Sequence, residues 1–134
     1  MNAKRILVAE DNPDDAFIFQ MRFRKAGLPF ELHMVDDGEK VIRWLEGAGE
    51  FDRERHPVPD LLILDLKMPI QTGLDALAWI RANEQFQDLP TIILSSSDDP
   101  RDLKRANELG ATRYFIKSPL LEDVMEFLRL DGPI

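Results

Sequence analysis

The sequence predicts a doubly wound α/β fold, a five-stranded parallel sheet with helices on both faces, and three observations predict it. The first is the run Leu61-Leu62-Ile63-Leu64, four consecutive apolar residues that run into Asp65 and are stopped by Met68-Pro69. A short continuous apolar run closed by breakers reads as a strand buried on both faces, as in parallel sheets. The second is the alternation of such runs with amphipathic segments along the chain, which is how layered α/β domains are built. The third is that polar residues stand at the carboxyl ends of the runs, where open α/β sheets collect ligands and chemistry.

The first strand is Lys4 to Ala9, ending in Glu10-Asp11. Asn12 caps the helix that follows, Pro13 takes its first position, and Asp14 and Asp15 suit the positive end of the helix dipole. In that helix Ala16, Phe19, Phe23 and Ala26 recur at spacings of three and four and make a core face. Phe17 and Met21 lie beside it, as flanking core or a partner surface, and Gly27 closes the helix. Phe30 to Val35 alternates and reads as a strand near a sheet edge. Asp36-Asp37-Gly38 is a turn, and Glu39 to Leu45 a short helix with Val41, Ile42 and Leu45 inward. Gly47 to Pro59 has no periodicity and nearly balanced charges, so it reads as a solvated loop. His56 there has no partner at metal-ligand spacing, and His33 reads as a packed or surface residue.

After the central run, Pro69 to Gly73 is a turn and Leu74 to Ala82 an amphipathic helix that buries Leu74, Leu77, Ala78 and Trp79 at least in part. Thr91 to Leu94 is the fourth strand, leading into Ser95-Ser96-Ser97. Asp98-Asp99-Pro100 starts a helix that Gly110 closes, and Arg113 to Ile116 is the fifth strand, leading into Lys117. Ser118-Pro119 opens the last helix, Leu120 to about Leu130. It carries more apolar residues than one core stripe requires. Leu120, Val124, Phe127 and Leu128 fit the buried face, which leaves Leu121 and Met125 on a flank. Those two either widen the core contact or form a patch for self-association or a target protein, a homodimer being the simplest assembly.

At 134 residues the chain is expected to form one domain, 1–134, with no separate output domain. The net charge of −8 argues against a nucleic-acid surface. The absence of cysteine removes disulfides, thiol catalysis and cysteine-zinc sites. No apolar run is long enough for a signal peptide or a membrane span, so a cytoplasmic protein is expected.

The strand ends supply the chemistry. The first gives Glu10 and Asp11, the third Asp65, the fourth Ser95 and the fifth Lys117. In a parallel sheet these ends share one edge, so three acids, a hydroxyl and an ammonium face one crevice. Clustered carboxylates repel one another, and a divalent cation relieves that repulsion. Oxygen-only ligands favour a hard metal, Mg2+ or Mn2+. Ser95 and Lys117 are donors suited to a transferring phosphoryl group, and a carboxylate can be its nucleophile. Each residue taken alone is also explained as a loop residue making local hydrogen bonds.

Glu10-Asp11 after the first strand, Asp65 in Leu-Asp-Leu-Lys-Met-Pro, Gly73, Ser95 and Lys117 together resemble a response-regulator receiver domain of the CheY-like type, over about the whole chain. The resemblance implies the flavodoxin-like strand order 2-1-3-4-5. It implies a two-component phosphorelay protein and not a conventional enzyme, catalysing only its own phosphotransfer and autodephosphorylation. Asp65 is then the phosphoacceptor, and Asp11, Asp65 and the Lys67 backbone carbonyl bind Mg2+ (or Mn2+), with Glu10 acting through water. Ser95 is the switch hydroxyl, Tyr114 the aromatic switch and Lys117 the phosphate-pairing lysine. The implied partners are a sensor histidine kinase or a phosphotransfer protein, and a downstream protein target. The Asn-Pro after the acid pair, the long loop and Leu-Pro-Thr-Ile-Ile-Leu-Ser-Ser-Ser resemble the small single-domain regulators encoded beside bacterial phytochromes, which points to a phytochrome-type kinase. The chain departs from the family pattern at Ser118, where a proline usually follows the lysine; Pro119 comes one residue later. Thr72 replaces an acid often found before the turn glycine.

Three other readings compete. A Mg2+-dependent aspartyl-phosphate phosphohydrolase of the haloacid-dehalogenase type needs a second aspartate two residues after the nucleophile, where Lys67 stands. A flavodoxin-like cofactor binder needs a phosphate loop after the first strand, where Glu10 and Asp11 place negative charge instead. A pseudo-receiver would bind partners without phosphorylation, although every residue the chemistry needs is present.

Overall fold

The computed structural model describes residues 4–68 and 70–132. Pro69, expected at the end of the central run and in the next turn, lies outside the described residues. The elements are β1 (Arg5–Ala9), α1 (Pro13–Lys25), β2 (Glu31–Val35), α2 (Gly38–Glu46), β3 (Leu61–Leu64), α3 (Gly73–Ala82), β4 (Thr91–Ser95), α4 (Pro100–Glu108), β5 (Arg113–Ile116) and α5 (Glu122–Leu130). All strand pairings are parallel, in the order β2-β1-β3-β4-β5. The predicted fold class and strand order are therefore those observed.

Successive strand residues point to opposite faces, so each central strand feeds two cores. Leu7, Leu62, Leu64 and Ile93 join Val41, Leu45, Leu77, Ile80 and Ala106, from α2, α3 and α4. Ile6, Val8, Leu61, Ile63 and Ile92 join Phe19, Phe23, Val124 and Leu128, from α1 and α5. Burial on both faces is why β1, β3 and β4 are continuous apolar runs. The predicted caps of α1 also form: the Asn12 side chain accepts from the backbone of Asp14 and Asp15, with Pro13 in the first turn.

Several local expectations are corrected. The segment 47–59 is anchored and not simply solvated. Phe51 is buried, Trp44 Nε1 donates to the Pro57 carbonyl at 2.9 Å, and the Arg53 guanidinium donates to the Trp44 and Leu45 carbonyls at the end of α2. His56 packs edge-on against Trp44 and Phe51. Trp44 is thus buried in α2 along with Val41 and Leu45, and Ile42 is only half-buried. In α1, Ala26 is the C-cap and exposed, and Phe17 projects from the surface. Thr72 caps α3 in a capping box with Asp75, so its replacement of an acid has a local reason.

The largest correction concerns α5. The helix starts at Glu122, leaving Leu120 before it and exposed, while Leu121 takes the cap position with φ 52°. The inward stripe is therefore Leu121, Val124, Met125 and Leu128, spaced three and four apart. Leu121 and Met125 are 6% and 9% exposed, so of the two readings open for them the wider core contact is the one observed, and not a patch for self-association or a target. Phe127 is half-buried, packs against Phe115 at 5.6 Å and lies under the Arg113 guanidinium.

Candidate functional site

The sheet ladder sets the site. The backbone N–H of Glu10 donates to the Val35 carbonyl at 3.0 Å, that of Asp65 to Ala9 at 3.1 Å and that of Lys117 to Ser95 at 2.8 Å. Each residue is thereby fixed one step beyond its strand, at the common carboxyl edge. All the strand-end residues singled out from sequence meet there. Glu10, Asp65 and Ser95 are buried, and Asp11 is exposed at the rim.

Lys117 Nζ is the hub. It donates to Glu10 Oε1 at 2.5 Å, Asp65 Oδ2 at 3.0 Å and Asp15 Oδ2 at 3.0 Å. The second oxygens of the two buried acids are met by main chain: Asn12 N–H donates to Glu10 Oε2 at 3.1 Å and Lys67 N–H to Asp65 Oδ1 at 3.3 Å. The Lys67 side chain is exposed. Burial pushes the Glu10 carboxyl up to about 7, helped by the nearby Asp65 charge and opposed by the bonds from Lys117 and Asn12. Burial alone would pull the Lys117 ammonium down, but its bonds to Glu10, Asp65 and Asp15 outweigh it and leave it above its ordinary value. Desolvation and pairing thus act against each other across this bridge.

Glu10, Asp11 and Asp65 each bring a carboxylate oxygen into a group whose atoms lie within 4.8 Å of one another. An all-oxygen donor set with one exposed member fits a hard divalent cation that keeps some of its water. A cavity of about 330 Å3, lined in part by Glu10, Asp15, Asp65, Ser96 and Lys117, opens beside these groups.

Ser95 and Tyr114 converge on one residue. Ser97 N–H donates to Ser95 Oγ at 3.2 Å, and the Tyr114 hydroxyl donates to the Ser97 carbonyl at 2.9 Å. The Ser97 hydroxyl in turn donates to Asp102 of α4 at 2.5 Å. The segment between β4 and α4 is thus tied at both ends.

Asp15 is the site residue that the sequence reading missed, having been assigned only to the helix dipole. Its position is a usable signal: one helical turn beyond Asp11, on a capped first turn that starts at the sheet edge, an acid can turn back toward the strand ends.

Comparison with known proteins agrees with this architecture. The family model described as the response regulator receiver domain matches residues 6–129. Response regulator Rcp1 of Synechocystis sp. is 30% identical over 126 residues, covering 94% of this chain and 84% of that protein. The crystal structure of the Mn(2+)-bound form of Rcp1 has a TM-score of 0.85 at 29% identity, covering 95% of this chain and 93% of that one. The crystal structure of the phosphorylated cyanobacterial phytochrome response regulator RcpA has a TM-score of 0.83 at 28% identity, covering 96% and 90%. With the strand order, the gathered edge and a family match over nearly its whole length, the chain belongs to the response regulator receiver domains of two-component systems.

Proposed function

We propose that this receiver accepts a phosphoryl group on Asp65 from the phosphohistidine of a histidine kinase or phosphotransfer protein, and that Glu10, Asp11, Asp65 and the Lys67 carbonyl serve a bound Mg2+. The observation that carries this reading is the convergence of Asp65 with the carboxylate group and with Lys117 at one sheet edge. An Asp65 carboxylate oxygen attacks phosphorus, the P–N bond breaks, and the imidazole leaves with the electron pair and takes a proton from solvent. A bound Mg2+ neutralises the acidic cluster and the charge on the phosphoryl oxygens. Lys117, already bonded to Asp65, stands ready to pair with one of those oxygens, and Ser95 lies at the next strand end to report the new group.

The protein acts in the cytoplasm as a switch, and phosphate loss by hydrolysis resets it. Similarity to a phytochrome response regulator supports a phytochrome-type kinase as the donor. Among the described residues, no helix is long and apolar enough to cross a membrane.

Incubation with Mg2+ and a small acyl or amide phosphodonor should give one acid-stable, base-labile adduct. Asp65→Asn and metal chelation should each abolish it; labelling of Asp65→Asn at the parent's rate would refute the assignment.

A further inference from the structure

Two sets of carboxylates overlap at the sheet edge. The set bonded to Lys117 is Glu10, Asp65 and Asp15. The set grouped for a cation is Glu10, Asp11 and Asp65. Glu10 and Asp65 belong to both, so a divalent cation and the ammonium draw on the same two carboxylates. Among the described residues, Asp15 belongs to the set bonded to Lys117 and not to the set grouped for a cation.

We infer that Asp15 is a positioning residue for Lys117, keeping the ammonium at the site while a cation takes up Glu10 and Asp65. The inference deepens the phosphoacceptor reading and rests on it for the role of Lys117. An ammonium has three N–H donors, and all three are used here. The Lys117 side chain is only 15% exposed, so water replaces a lost partner poorly. Without Asp15, the ammonium falls back on Glu10 and Asp65 and holds them against the metal. Asp15 is placed to prevent this. Its backbone N–H is capped by Asn12 Oδ1 at 3.1 Å, and its side chain, 42% exposed, lies at the open side of the bridge. Asp14 is on the same first turn and has the same charge, but among the described residues its hydrogen bond to this region is a backbone donation to Asn12.

The test is calorimetric titration with Mg2+ of the parent, Asp15→Ala, Asp14→Ala, Lys117→Met and the double variant Asp15→Ala plus Lys117→Met. Asp15→Ala should weaken Mg2+ binding by roughly five- to tenfold, as expected for loss of one partner in a shared network. Asp14→Ala should change it by less than about twofold, within the range for an exposed surface charge. In the Lys117→Met background the Asp15 effect should vanish, a result that neither loss of charge nor weakening of the helix end would produce. Asp15→Asn, which keeps the shape, is a second variant and should weaken binding in the same lysine-dependent way. Parent affinity in both Asp15 variants, an equal loss with and without Lys117, or no Mg2+ binding by the parent would each overturn the inference. Phosphodonor labelling of the parent separates the two claims. A parent that shows the Asp15 pattern but never labels Asp65 refutes the phosphoacceptor reading, whereas labelling without any Asp15 effect refutes only the present inference.

Discussion

Gly73 is packed against the main chain of Asp65. A Cβ at position 73 would stand 2.1 Å from the Asp65 carbonyl oxygen and 2.9 Å from its carbonyl carbon. Backbone cannot yield as a flexible side chain does, so Gly73→Ala must displace either α3 or the segment that follows β3. The expected cost is about 1–3 kcal/mol, the range for overpacking a buried site. It should appear as a lower urea midpoint, together with slower phosphodonor labelling of Asp65. An unchanged midpoint would show that the contact is relieved without cost.

The Glu10 carboxyl predicts how metal binding depends on pH. Burial raises it from the ordinary 4.5 to about 7, so the folded protein keeps a proton that the unfolded chain has already released between those values. That contribution to stability is complete below 4.5 and is lost as pH rises through 7. A cation has the opposite preference, because it binds the ionised carboxylate and must expel the proton. Thermal stabilisation by a fixed Mg2+ concentration should therefore be small near pH 5.5, grow through pH 7 and level off above about pH 8. Glu10→Gln should remove the growth centred near pH 7. A stabilisation independent of pH in the parent would mean that Glu10 takes no part.

How far the sequence carried the reading depended on the kind of signal. Strand order and strand-end residues were legible because continuous apolar runs such as Leu61–Leu64 can be buried on both faces only in a sheet covered by two helical layers. In α5, two stripes satisfied the same spacing rule, and only the helix start distinguished them. That start depends on the left-handed backbone at Leu121, which propensity does not anticipate in a leucine. The segment 47–59 has no periodicity to read because its anchors are single residues, Phe51 in a core and Arg53 on the carbonyls that end α2. Asp15 was hidden for a different reason: its helix-dipole role already explained it, and the long-range bond to Lys117 leaves no local trace.

Ser95 and Tyr114 predict how the signal leaves the site. The Ser95 hydroxyl is buried and accepts from the Ser97 N–H, while the Tyr114 hydroxyl donates to the carbonyl of that same residue. A phosphoryl group on Asp65 that recruits the Ser95 hydroxyl would disturb Ser97, and through it the hydrogen bond that holds the half-buried Tyr114 ring. Discrete rearrangement of a tied segment is how small local changes become altered surfaces. Ser95→Ala should therefore still label on Asp65 but fail to move Tyr114, at a stability cost of about 0.5–1.5 kcal/mol for the lost hydrogen bond. Tyr114 is the single tyrosine of the chain, so biosynthetic 3-fluorotyrosine places one fluorine reporter on this ring. Phosphorylation should shift that resonance in the parent and leave it near its starting position in Ser95→Ala, with Asp65 labelled in both. A full parental shift in the variant would uncouple the hydroxyl from the ring and send the signal by another route.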